Sequence, residues 1–490
     1  MNRLKLFLMA LVVAWLVGCE NSLTEAPQQS LDQDLALNSA SGLTAAVTGL
    51  YDANQSANIA GGNYNVIAEI MADNVVWKGS FTTYQDFHNR QITPDNANTV
   101  GWWTDSYVAI NMANVILDAV GKINDPTLTT AQKDIWRGDC YFVRGMTYFE
   151  LARVYGKPWN FTPDNSHLAV PVRTKAVASS SDFENLPRAT MAAVLTQVES
   201  DLQQAVTLLP ATRTDRRATR YAALGYLMRM ELEKRNYAAA AGYAQQIMAG
   251  GFSLTASPYG PFQTKFSTES VFEIAHTTAD NPGVNAGQHA FYAPTSLAGR
   301  GDIVISQSYV DAFNRIITPT QQAAITAASG TATDQRRTLL LNGLVANTSA
   351  TVKFYRTTND DNVLNLRYAD VLLTRAEALA EQAANLAAVP AEVYTLVNTV
   401  RKRAILVSGG TSNNALIEYS AASFADKQAL IDAILLERRV ELAFEGDRFY
   451  TLHRRGLDMR GLAPSDNRIT FPIPQQEKDA NPSMVQNPGY

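Results

Sequence analysis

Apolar side chains recur three and four residues apart through much of the chain, the spacing of a helix face turned towards a core. A helix start is predicted near Ser41. Between Asp105 and Ile123 the apolar positions are Val108, Met112, Val115, Ile116 and Ala119. From Ala131 to Tyr155, the side chains of Ile135, Phe142, Val143, Met146, Phe149 and Leu151 lie close to one face, and Gly156 with Pro158 ends the run. Further helices are predicted from Met191 to Leu209, from Arg217 to Lys234, and from Tyr237 to a stop at Gly250-Gly251. A later group covers Leu366 to Ala384, Pro390 to Ala404 and Phe424 to Glu445. Alternation replaces this period only briefly, in SVFEIAHT (Ser270 to Thr277), which reads as a strand.

The segment ATRYAALGYLMRMELEKRNYAAAAGYAQQIM resembles a tetratricopeptide repeat. One such helix pair cannot bury its apolar face alone, so pairs stack on their neighbours. The expected class is therefore mainly α: tetratricopeptide-like pairs form a scaffold over residues 100–250 and 366–446, with a few short strands. Residues 251–365 form a less regular insertion, in which Asp280 to Asp302 is rich in Gly, Asn, Pro and aromatics. The proline-rich tail, residues 469–490, is expected to run extended, tied down by Phe471, Ile473 and Tyr490.

The N-terminus has a separate logic. Arg3 and Lys5 precede an apolar run from Leu6 to Val17, shorter than the ~20 residues of a membrane span and closed by Leu16-Val17-Gly18-Cys19. This is the pattern of a lipoprotein signal peptide (residues 1–18), cleaved so that Cys19 carries lipid and residues 19–40 form a tether. Losing Arg3 and Lys5 moves the formal charge from -5 to -7. A mildly acidic chain without a basic block argues against nucleic acid as a partner. With Cys19 lipidated, the second cysteine, Cys140, has no partner for a disulfide and sits among Tyr141, Phe142 and Val143 as a small buried thiol.

Catalytic patterns are missing. No H-E-x-x-H, G-x-S-x-G or phosphate-binding loop occurs, and the five histidines show no metal-ligand spacing. We therefore assign no catalytic residue, metal or cofactor. Paired carboxylates at the ~5–9 Å needed for glycoside hydrolysis are not visible in a sequence. In LLERRVELAFEGDRFYTLHRRG, Arg438, Glu441 and Glu445 share a face with Ile431, Leu435 and Leu442, so a structural ion-pair network is expected there. Gly446 is placed to end that helix in a left-handed turn.

Several blocks together resemble the SusD/RagB family of outer-membrane nutrient-binding lipoproteins. They are Cys19 with ENSLTEAPQQ, WTDSYVAINMANVI, GDCYFVRGMTYFELARVYGKPW, LRYADVLLTRAEALAE, the LLERRVELAFEGDRFYTLHRRG block and the terminal PIPQQEKDANPSMVQNPGY. They run from Cys19 to Tyr490, so the resembling domain is residues 41–490 behind its tether; Asp447 departs from a frequent histidine. The resemblance implies a lipid-anchored, cell-surface protein of the outer membrane. It would bind oligosaccharides without catalysis and deliver them to a SusC-like TonB-dependent transporter. Peptide capture on the same scaffold and a lipid-anchored glycoside hydrolase are the alternatives.

A sugar site needs aromatic platforms beside short polar groups. Trp103, Trp136 and Trp159 fall in helix frameworks and read as structural. Trp77, with Tyr84 in the loop-like KGSFTTYQDF, Trp102 after TPDNANTVG, and Phe291-Tyr292 in the insertion are the candidate platforms, expected on one exposed face. Asp73, Asn74 and Gln85 are the polar candidates.

Overall fold

The computed structural model describes residues 37–408 and 415–490, so the predicted signal peptide, Cys19 and nearly all of the predicted tether lie outside the described residues. The first helices are α1 (Ala40–Gln55), α2 (Asn63–Met71) and α3 (Thr82–Asn89). The long pair α4 (Ala97–Lys122) and α5 (Thr130–Tyr155) follows, then α6 (Met191–Leu208), α7 (Arg220–Glu233) and α8 (Tyr237–Met248). After the insertion come α9 (Tyr368–Gln382), α10 (Ala391–Ala404), α11 (Lys427–Glu441) and α12 (Asp447–Arg455). The mainly α expectation holds, and most periodic segments match their helices to within a few residues, but α4 begins at Ala97, eight residues ahead of the periodic stretch that starts at Asp105.

Local chemistry sets the ends. Asn96 caps α4 by accepting from the backbone N–H groups of Asn98 (3.0 Å) and Thr99 (3.4 Å), and Thr129 caps α5 by accepting from Gln132. The second half of α5 is buried all round, because α4, α6, α7 and the C-terminal tail cover it. At Gly145 a Cβ would sit 3.0 Å from Leu202, so glycine is what lets α6 lie close against α5. Gly225 does the same for α7, where a Cβ would fall 1.8 Å from a methyl of Leu366. Cys140 is fully buried, and burial raises its thiol well above the ordinary value.

Six short strands pair in twos among the described residues: β1 (Val75–Trp77) with β3 (Ile303–Ile305), β2 (Ser270–Ile274) with β5 (Val363–Arg367), and β4 (Ala332–Asp334) with β6 (Ile405–Val407). All three ribbons are antiparallel, and each pins part of the insertion, residues 251–365, to an element outside it or to its boundary.

The expected ion-pair network surrounds α11. Arg336 pairs with Asp334 (2.7 Å) and Glu437, Arg401 with Glu437 (2.8 Å), and Arg367 with both Glu441 (2.7 Å) and Glu445 (2.7 Å). Arg403 bridges Glu269 (2.8 Å) and Glu441. Burial pushes the Glu441 carboxyl up, but Arg403, Arg367 and Arg336 outweigh it and hold the group far below the usual carboxylate range. Gly446 is left-handed, with φ +87°, and its turn leads directly into α12.

Two expectations need correction. The stretch after Trp77 is not a loop throughout: Trp77 ends β1, and Tyr84 and Phe87 lie on α3, held there by burial against the core. The tail is extended for most of its length but contains a short helix, Gln475–Ala480, because Pro474 sits just ahead of it, where a proline costs no helical hydrogen bond. The tail is tied down as expected. Phe471 donates its N–H to the Val154 carbonyl (2.8 Å), and the Asn487 amide donates to the carbonyls of Tyr155 (2.8 Å) and Phe471 (2.6 Å). No described helix is long and apolar enough to cross a membrane.

Candidate functional site

The β1–β3 ribbon sets Trp77 opposite Ile303, and the Lys78 N–H donates to the Asp302 carbonyl (2.6 Å). This draws the middle of the insertion against the start of α3. Three of the predicted aromatics meet there. The Trp77 and Tyr84 rings stack with centroids 5.1 Å apart at 23°, and Phe291 meets Tyr84 edge-on at 4.9 Å. The Tyr84 hydroxyl donates to the side-chain amide oxygen of Asn63 (2.8 Å). Gly79 turns the chain over this stack at a point where a Cβ would lie 2.5 Å from the Trp77 ring.

The expectation of exposed platforms is not met by these rings. Trp77 is 5% exposed, and Tyr84, Phe291 and Tyr292 are buried too. Trp102 and Tyr292 belong to other parts of the core. Trp102, 1% exposed, packs between Tyr64 (5.8 Å) and Phe471 (5.6 Å), while Tyr292 lies against Phe354 (5.3 Å) and Phe444 (6.1 Å). The physical reason is supply: short ribbons and helices in the irregular regions need large rings to fill the space beneath them. Trp103 and Trp136 are buried in helices, as expected.

The polar candidates separate as well. Asn74 is fully buried, donating to Glu69 (3.0 Å) and accepting from Arg439 (2.9 Å). Asp73 accepts two hydrogen bonds from Arg448 (2.7 and 2.9 Å) and pairs with Arg439 (3.3 Å). Burial raises its carboxyl, and these arginines more than reverse that, holding it below its ordinary value. Gln85 alone is exposed, on the outer face of α3.

What the buried stack presents to solvent is a side chain that the sequence reading passed over. Phe81, 39% exposed, precedes α3 and leans on Tyr84 with centroids 6.3 Å apart. The Arg300 guanidinium lies over both Phe81 (4.9 Å) and Phe291 (4.3 Å), and Asp302 fixes it (2.6 Å). Val284, 63% exposed, sits alongside, its carbonyl accepting from Arg300. Phe81 and Arg300 are thus a ring and a guanidinium held in place by a packed aromatic base. A phenylalanine beside the Gly79-Ser80 turn, ahead of a run with no apolar stripe, is the signal that could have found it. The chemistry suits an apolar ring face with hydroxyls at its edge. No group of His, Cys, Asp and Glu among the described residues could hold a metal ion.

Compared with known proteins, residues 23–232 match a SusD-like family described as starch-binding and associating with the outer membrane, and residues 321–461 match the SusD family. Two SusD-like proteins of Formosa agariphila are similar along essentially their whole length: one is 25% identical over 100% of both chains, the other 24% identical over 99% of this chain and 98% of its own. Among solved structures, a SusD superfamily protein from Bacteroides thetaiotaomicron shares the fold with a TM-score of 0.76 at 22% identity, covering 91% of this chain and 99% of its own. A structure titled a laminarin-binding SusD-like protein aligns with a TM-score of 0.69 at 22% identity, over 92% of this chain and all of its own.

Proposed function

Because the chain belongs to the SusD family, we propose that it binds oligosaccharides at the outer-membrane surface and passes them to a SusC-like TonB-dependent transporter. Like other members of that family, it is a binding protein without catalysis. The observation that carries the glycan reading is the Phe81 ring, exposed yet braced from below by Tyr84 and from the side by Arg300. The laminarin-binding neighbour and the starch-binding description of the first matched family support the same ligand class. The Cys19 boundary supports a lipid anchor, since two or more acyl chains hold a protein stably on a bilayer.

A sugar face laid on one ring removes limited apolar area. At ~25 cal/mol per Å² this gives a few kcal/mol before ordering costs, and so a dissociation constant of roughly micromolar to millimolar. Such weak binding suits a protein that must release its ligand to a pore. Phe81→Ala should weaken binding of a laminarin-type oligosaccharide about tenfold, ~1.4 kcal/mol, with little change in the thermal midpoint, because the ring is partly solvated already. Titration calorimetry on parent and variant checks this, and unchanged affinity in a folded variant would remove Phe81 from the site.

Anchoring has its own test. Cys19→Ala should abolish fatty-acid labelling and move the protein from the membrane to the soluble fraction. From gently solubilised membranes, the parent should co-purify with a barrel protein of transporter size. Labelling that persists in the variant would defeat the lipoprotein reading.

A further inference from the structure

Beside Phe81 the surface carries positive charge that the rest of the molecule does not balance. Nearly every buried arginine in this protein is met by a carboxylate, as around α11. Half-buried Arg90 and exposed Arg460 are met by none. Arg90, at the C-cap of α3, donates only to the carbonyl and sulfur of Met71, and its Nε is buried without a partner. Arg460 donates to the carbonyls of Ile70 (2.9 Å) and His88 (2.9 Å), and contacts His88 Nδ1 (3.2 Å). Both residues adopt left-handed backbone conformations, with φ of +62° and +56°, a geometry kept only where its surroundings enforce it. Lys78 is exposed, and no described carboxylate pairs with it.

Most of the nearby acids are already paired: Asp73 is shared by Arg448 and Arg439, Asp302 is held by Arg300, and Asp466 pairs with Arg468. Asp86 and Asp458 accept only from the neutral Asn96 amide and the Gly461 N–H, which sets two carboxylates against the three cations Lys78, Arg90 and Arg460. The imidazole of His88 registers the result: burial first, then the fields of Arg460, Arg90 and Lys78, push it down to about 4, so it adds no charge of its own at neutral pH. In a chain of net charge -5, this is a local excess of cations.

Geometry joins this excess to the aromatic edge. Phe81, Gln85 and His88 follow one another at helical spacing along the outer side of α3, while Tyr84 and Phe87 face the core. Seven residues at 1.5 Å each span about 10 Å, from the ring at one end to the guanidiniums at the other. We propose that the outer side of α3, from Phe81 past Lys78 to Arg460 and Arg90, is an extended subsite for an acidic glycan, whose carboxylate or sulfate groups meet the cations while a sugar face rests on Phe81. This assigns a ligand class to the site and rests on the glycan reading above. Guanidinium groups suit both anions, because their planar N–H fork matches paired oxygens.

Affinity electrophoresis and calorimetry on the mature, detergent-solubilised protein can decide it, using oligogalacturonate, a sulfated dextran oligosaccharide and a neutral laminarin oligosaccharide of equal length. At least one acidic probe should bind about tenfold more tightly than the neutral one at low salt. The preference should disappear near 0.5 M NaCl, where exposed charges are screened. The double variant Lys78→Ala, Arg460→Asn should lose the preference and keep neutral binding, asparagine being chosen because it tolerates the left-handed backbone. Phe81→Ala should weaken acidic and neutral probes alike. Lys78→Ala alone, at an exposed side chain, should lose part of the preference and guards against misfolding of the double variant. Equal binding of all three probes by the parent overturns the acidic class and leaves the glycan site standing, whereas failure of every probe defeats the site itself. A double variant that keeps its preference, or loses only its co-purifying barrel protein, assigns these cations elsewhere.

Discussion

Glu441→Ala is expected to be among the most damaging single changes in this protein, costing about 3–5 kcal/mol of stability. The carboxylate lies among Arg336, Arg367 and Arg403, all buried with it. Removing it leaves three guanidiniums to share Glu269, Glu437, Glu445 and Asp334, each already engaged. Glu441→Gln should lose nearly as much, since it keeps the shape and removes the charge. Urea denaturation followed by circular dichroism reads the effect as a lower midpoint. A loss below about 1 kcal/mol would mean that the remaining carboxylates suffice, and that the network does not act as a unit.

Trp102→Ala should cost about 3–5 kcal/mol as well, by a different route. Its ring fills the space between Tyr64 on α2 and Phe471 of the tail, so truncation leaves a cavity where three separate segments meet. Oligosaccharide affinity, measured below the lowered melting temperature, should be unchanged. The pair Trp102→Ala and Phe81→Ala thus separates two roles that aromatic residues play here: one variant loses stability and keeps binding, and the other does the reverse. A Trp102 variant of normal stability with weakened binding would return that ring to the ligand site.

Much of the scaffold was legible because its signals are local. Helices α4 to α8 announce themselves by apolar spacing and, for α5 and α8, by the glycines that end them, and the α11 network by charges lying on an apolar face. The blocks from Cys19 to Tyr490 carried the family. The ligand face was much less legible. Trp77 and Phe81 stand four positions apart in the same irregular stretch, yet one lies beneath the surface and the other on it. That difference is decided by the β1–β3 ribbon, whose strands are far apart in sequence. Helix α3 was missed for the same reason: it is short, and only burial of Tyr84 and Phe87 against distant segments holds it. Gln85 survives as an exposed candidate, whereas Asp73 and Asn74 serve to anchor arginines.

The tail described above also bears on how the chain reaches its native state. The Asn487 amide and the Tyr155 carbonyl that it caps are separated by 332 positions. The end of α5, at the centre of the molecule, therefore stays open until residues near the far end of the chain arrive. Contacts this distant in sequence form late and slowly, because a large loop must close before they return any free energy. Such a chain spends its early existence with the Trp102 and Phe471 surfaces uncovered, a period in which chaperone protection matters most. Maturation would then proceed from the helix pairs outwards, with the proline-rich strap as the closing clasp.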